Sequence, residues 1–156
     1  MTTRRLVIVL ALVLAAVAPA ACAADESQPP LDTAASSPED TVRAFYDWYT
    51  EYISDRAAPR NPMVDRAYRD SPYLTDDFEA RTDALLDGFM GGGFDPFVCA
   101  QDVPTSFDLD PAVTSNGAAA VTVHTEWTGH SFEVRLVDVD GGWLIDDVVC
   151  RSPEPQ

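Results

Sequence analysis

Ala118-Ala119-Ala120-Val121-Thr122-Val123-His124-Thr125-Glu126-Trp127 alternates along its length. Ala119, Val121, Val123, Thr125 and Trp127 fall on one side, Thr122, His124 and Glu126 on the other. A period of two is the mark of a strand with one face on a core and one in water. Two more alternating runs follow, residues 132–139 after the turn Thr128-Gly129 and residues 143–149 after Asp140-Gly141-Gly142. Residues 105–109 read as an earlier strand.

Upstream of this meander the period becomes helical. Ser37-Pro38-Glu39-Asp40 supplies an N-cap serine, a proline at the first helical position and acids for the first turn. Val42, Phe45, Tyr46, Tyr49 and Ile53 then recur on one helical face, which Trp48 and Tyr52 widen. Asn61-Pro62 opens a short second helix that Ser71-Pro72 ends. Thr75-Asp76-Asp77 caps a third, with Phe78, Thr82, Leu85, Leu86 and Phe89 on its apolar face. Gly91-Gly92-Gly93 stops that helix, since no strand precedes it and no basic residue follows to make a phosphate cradle. Segregated helices and strands define an α+β class: three N-terminal helices packed on a curved, roughly four-stranded antiparallel sheet.

The chain of 156 residues is 46% hydrophobic and 10% aromatic, a composition for a folded domain. It contains no lysine, and its formal charge is −16. Removing a leader that holds Arg4 and Arg5 leaves 8 arginines against 26 acids, a net −18. Such a chain lacks the basic footprint that phosphate backbones and anionic lipid require, so nucleic-acid partners are excluded.

The leader is readable. Arg4-Arg5, twelve strongly apolar residues (6–17) and the small residues Ala18-Pro19-Ala20-Ala21 before Cys22 compose an export signal. Pro19-Ala20-Ala21-Cys22 resembles the lipobox of bacterial lipoproteins, in which the cysteine thiol carries the lipid, although that pattern has Leu, Val or Ile where this chain has Pro19. Plain cleavage after Ala20 or Ala23, or a retained anchor, are the alternatives. The strongly apolar run is shorter than the ~20 residues a spanning helix needs. The division expected is a signal peptide at 1–21, a flexible tether at 22–36, a folded domain at 37–150 and a disordered tail at 151–156. Attachment to the membrane is expected through lipid on Cys22 rather than through a retained helix. In an exported chain Cys99 and Cys150 are expected to pair. Closing their loop of some fifty residues is worth about 4 kcal/mol in the chain-entropy model.

Phe45-Tyr46-Asp47-Trp48-Tyr49, Tyr73-Leu74-Thr75, Asp95-Pro96-Phe97, Gln101-Asp102-x-Pro104 and Gly142-Trp143-Leu144-Ile145-Asp146 occur in that order over residues 37–150. The pattern resembles an exported bacterial family, domain of unknown function 3828, within the cone-shaped nuclear transport factor 2-like superfamily. The resemblance implies a long first helix across a strongly bent sheet, with a pocket at the wide end. It carries over no catalytic residue.

Within such a cone, Asp102 at the mouth would have a raised pKa and serve as a general base with a tyrosine such as Tyr46. The plainer role for Asp102 is to cap the turn before Pro104. Tyr46, Trp48, Tyr49, Asp102, Trp127 and Asp146 are pocket-lining candidates, with core packing as the simpler account of the aromatic ones. Asp146 and Asp147 interrupt the last strand, and alternation sends one of them inward, to a partner such as Arg43, Arg81 or a tyrosine hydroxyl. His124, His130 and Glu126 lack metal-ligand spacing and read as solvent-facing; no metal and no cofactor are expected. The leading expectation is a non-catalytic domain of the cell envelope that binds a small ligand or an envelope protein. The alternatives are an acid–base enzyme using Asp102 and a protein-interaction or homodimer module using the outer face of the sheet.

Overall fold

The computed structural model describes residues 37–54, 60–88 and 94–151, all within the compact unit Leu31–Gln156. The signal, the tether, Cys22, Phe89, the triple glycine and residues 152–156 lie outside the described residues.

Helix α1 spans Pro38–Ile53 and begins as its sequence dictates. Ser37 is extended and accepts from the Asp40 N–H at 3.1 Å, Pro38 occupies the first turn, and Glu39 and Asp40 meet the positive end of the helix. Val42, Phe45, Tyr46 and Tyr49 are buried along one face. Helix α2, Pro62–Asp65, is capped by Asn61, whose side chain accepts from Met63 and Val64 N–H, and a 3-10 turn follows at Ala67–Asp70. Helix α3 spans Asp76–Gly88, with Thr75 Oγ1 accepting from Phe78 N–H at 3.1 Å. Phe78 and Thr82 are buried and Leu86 packs partly, whereas Leu85 is 41% exposed and leaves the expected apolar face. Arg69 and Tyr68 grip Asp83 and tie the 3-10 turn to α3; these bonds hold the Asp83 carboxyl down at about 2.

Five antiparallel strands follow: β1 Phe107–Leu109, β2 Val113–Ser115, β3 Ala118–Thr125, β4 Ser131–Val139 and β5 Gly142–Cys150. The sheet is open, ordered β1-β3-β4-β5, with β2 also paired to β3. The expected count of four is therefore corrected to five. The unforeseen β2 has three residues, all exposed, and so carries no apolar alternation. Its signal is the turn Asn116-Gly117: both residues have positive φ (51° and 75°), the geometry of the two-residue hairpin loop that Asn-Gly favours. β1 and β2 run along the same edge of β3, separated by residues 110–112. Pro111 cannot donate there, and the Ala112 N–H turns away to Glu39 Oε1 at 2.7 Å. The first turn of α1 is thereby pinned to the interruption.

The inner face of the sheet carries Ala119, Val121, Val123, Phe132, Val134, Leu136 and Ile145, all at 5% exposure or less. α1 lies on this face, and Thr41 Oγ1 donates to the Trp143 carbonyl at 3.2 Å. Register shifts at one point: Arg135 faces Asp147 while Leu136 faces Ile145. Asp146 is the extra residue of a β-bulge. Strict alternation sends one of Asp146 and Asp147 inward, but the bulge resets the phase, so that Ile145 and Val148 both pack on the core and neither aspartate does. Asp146 Oδ1 instead accepts from Thr75 Oγ1 at 2.8 Å, and Arg81 donates to its carbonyl. The Tyr73 carbonyl and Thr75 N–H complete the link through main-chain bonds of 2.8 and 3.0 Å to Ile145.

Candidate functional site

Residues 95–100 form a braced loop at one end of the sheet. Asp95 and Ala100 bridge through their backbones, and Asp95 carboxylate accepts from Phe97 N–H at 2.8 Å and from the Tyr49 hydroxyl. The Tyr46 hydroxyl donates to the Phe97 carbonyl at 2.7 Å. Cys99, at a φ of 53°, is disulfide-bonded to Cys150 with 5.4 Å between their Cα atoms. A formed disulfide belongs to an oxidising compartment, in agreement with an exported chain. His130 Nε2 lies 3.2 Å from the Cys99 carbonyl, and its Nδ1 lies 3.0 Å from Thr125 Oγ1. A carbonyl only accepts, so Nε2 donates to Cys99, and in the neutral ring Nδ1 accepts from the threonine. His130 is thus a half-buried strut rather than the solvent-facing residue expected; His124 is exposed, 3.0 Å from Asp110 Oδ2.

Burial is the larger force on the titration of this cluster. It raises the Asp95 pKa against the hydrogen bonds from Tyr49 and the loop backbone. It also drives the Tyr46 and Tyr49 pKa values upward, aided by the Asp95 charge, so both hydroxyls remain protonated donors. Phe97 fills the space beneath: its ring lies 5.4–5.8 Å from those of Phe45, Tyr49, Tyr68 and Phe78.

The pocket-lining candidates do not converge. Tyr46 and Tyr49 are inside the packed core. Tyr46 stacks on Phe107 at 4.6 Å, beside a cleft of about 80 Å³ that also touches Arg43, Asp47 and Thr105. Drug-sized ligands occupy roughly 300–1,000 Å³, far more than this cleft provides. Trp48 lines a separate, open surface depression of about 650 Å³ with Glu51, Tyr52, Ser54 and Arg60, whose guanidinium sits 4.2 Å above the Tyr52 ring. Trp127 packs on His130 with ring centroids 5.3 Å apart. Asp102 is exposed on the loop leading to β1, while the Tyr46 hydroxyl is committed to Phe97. Asp146 belongs to the bulge and lines a groove on the outer face of the sheet, apart from the aromatic candidates. Glu126 is exposed and accepts from Thr105 N–H and Oγ1 and from Ser106 N–H; these bonds, chiefly that from the Thr105 backbone, hold its carboxyl at about 2. No group of three or more His, Cys, Asp or Glu side chains suited to a metal ion occurs among the described residues.

The outer face of the sheet went unremarked residue by residue in the sequence. Register places Val113, Ala120, Arg135 and Asp147 side by side, and next to them Ser115, Ala118, Val137 and Leu144. A groove of about 360 Å³ runs over the two alanines, between Val113 and Val137. Val113 and Val139 are 74% and 45% exposed. Arg135 Nε donates to Glu133 Oε1 at 2.9 Å and an Arg151 amine to Glu133 Oε2 at 3.2 Å. The arginines, Arg135 foremost, hold the Glu133 carboxyl below its ordinary value.

These features define a class: a disulfide-linked α+β domain of three helices and an open five-stranded antiparallel sheet, with a filled interior and an outer face left uncovered by the described residues. The particular folds it matches come from two crystal structures. One is the type VI native effector-immunity complex Tae3-Tai3 from Ralstonia pickettii, one chain of which aligns with a TM-score of 0.59 and 23% identity, over 78% of this chain and 99% of that one. The other is the SeMet form of the same complex, at a TM-score of 0.55 and 21% identity, over 76% and 100%. No family model and no curated protein matches the chain.

Two expectations are corrected by these matches. The resemblance to domain-of-unknown-function family 3828 and to the nuclear transport factor 2-like cone does not hold, since the shared fold is that of a chain from an effector-immunity complex. Several residues of the five short motifs, among them Phe45, Tyr46, Tyr49, Leu74, Phe97 and Ile145, are core residues, so the pattern reports packing that unrelated folds can share. The leading functional expectation, non-catalytic binding of a small ligand or envelope protein at a cone mouth, falls with that fold. The aromatic side chains meant to line the mouth are instead packed in the core or dispersed over separate surfaces.

Proposed function

We propose that this domain is a protein-interaction module that holds a second exported protein. The carrying observation is the contrast between a filled interior and an outer sheet face where Val113 and Val139 are exposed beside a groove over Ala118 and Ala120. Contiguous exposed apolar surface on a soluble domain marks an interaction site. The shared fold with a chain of an effector-immunity complex, in which one protein is held by another, supports a role of that kind. The acid–base alternative has less support: Asp102 lies on an exposed loop and the hydroxyl of Tyr46 is taken by the Phe97 carbonyl.

The test is to immobilise the purified domain, disulfide intact, and expose it to the exported proteins of its source cell. One protein retained at near-equal stoichiometry through a high-detergent wash is the expected result. Retention of nothing beyond what a bare resin holds would overturn the reading.

A further inference from the structure

The surface and the chemistry of the partner can be named, an inference that rests on the protein-binding reading above. Inner and outer residues alternate along the same strands, yet the outer set is not uniformly polar. Val113, Ala118, Ala120, Val137, Val139, Leu144 and Val149 interrupt it. The two alanines keep the centre low, and the groove above them is bounded by the longer side chains of Val113, Val137, Arg135 and Asp146. The helices pack on the inner face and at the β5 edge, so among the described residues nothing covers this groove.

Charge selects the occupant. The arginines of this face, Arg135 and Arg151, already share Glu133. Asp147 ends the central row, Asp138 and Asp140 stand at the β4–β5 turn, and Asp108 lies beside His124 at the far end of β3. The whole chain carries −16. A second copy would bring the same negative charge onto an acidic rim, and a nucleic acid or anionic membrane would be repelled likewise. An apolar centre inside a charged rim is the usual anatomy of a specific protein interface, and here the complementary rim is basic.

We propose that the outer face of the sheet, centred on the groove over Ala118 and Ala120, is the docking surface for a basic protein partner. The apolar groove supplies the buried centre, and the surrounding carboxylates steer the encounter.

Site-specific photo-crosslinking of the full chain in its source cell tests this. The photoreactive residue benzoylphenylalanine is placed at Ala120 on the outer face, at Ala84 on α3 and at Gln101 on the exposed loop, one position per strain. The expected result is an adduct at Ala120 with a protein of basic isoelectric point, and none at Ala84. With that protein purified, Ala120→Arg should weaken binding at least tenfold while leaving the melting temperature of the domain unchanged, and the association rate should fall as salt rises. An adduct confined to Ala84 or Gln101 overturns the surface but leaves the protein-binding reading standing. An Ala120 adduct with a second copy of the chain, or with an acidic protein, overturns the basic partner. No adduct at any of the three positions overturns surface and reading together.

Discussion

Along β3, neighbouring residues of one strand live in two environments. Val121 and Val123 are fully buried against α1, whereas Ala118 and His124 are exposed and Ala120 and Thr122 only partly covered. On β4 the pattern repeats, with Phe132, Val134 and Leu136 inside and Glu133, Arg135 and Val137 outside. The inner face is aromatic and branched-aliphatic, closed by Phe97 from the braced loop. The outer face is small, aliphatic and charged, with its arginines paired to Glu133. The buried side chains are concentrated on one side of a backbone one strand thick, and among the described residues the other side stays outside the core.

The largest effect should come from the inner side. Phe97→Ala removes the ring around which Phe45, Tyr49, Tyr68 and Phe78 are gathered, and the expected loss is about 3–5 kcal/mol in chemical denaturation. A loss below about 1 kcal/mol would show that the loop is not part of the core. The two sides should also titrate in opposite senses. Asp95, inside, has its pKa raised chiefly by burial, so its contribution to stability is full below the unfolded aspartate value and declines as pH rises through the folded one. Glu133, outside, has its pKa lowered chiefly by Arg135, so its contribution is full above the unfolded glutamate value and is lost as pH falls through the folded one. In melting curves across pH, Asp95→Asn should lose the decline on the rising side and Glu133→Gln the decline on the falling side; the reverse assignment would break the comparison. The smallest effect belongs to the groove. Val137→Thr should change stability by no more than about 0.5 kcal/mol, as substitutions at solvent-facing positions do. A penalty above about 2 kcal/mol would mean that the face is covered within the folded chain.

Much of the architecture was legible because periodicity reports burial. Val42, Phe45, Tyr46 and Tyr49 announce the face of α1, and Val121 and Val123 announce that of β3. What periodicity cannot report is a core residue supplied by a loop, and Phe97 is the centre of this core from such a position. Nor does it expect a change of phase, although two aspartates between Ile145 and Val148 are the trace that the bulge leaves in the sequence. β2 was missed because nothing in Val113-Thr114-Ser115 is buried, while Asn116-Gly117 beside it was the usable sign. The outer face was legible only as a general option. Ala118, Ala120, Val113 and Val137 come together through register, and register is set by the hairpin turns rather than by hydrophobicity.

The break at Pro111 bears on how this chain behaves in a crowded exterior compartment. A bare sheet edge is a template on which an unrelated strand can add and seed a growing fibre. This edge presents three residues, then Asp110 with its N–H already given to the Thr122 carbonyl, then a proline with no hydrogen to give, then an alanine whose N–H is taken by Glu39, then three residues more. An intruding strand meets the gap at residues 110–112 after three residues from either side, too soon to build a continuous ladder. The outer face of the sheet can therefore stay uncovered while the β1/β2 edge gives polymerisation no foothold.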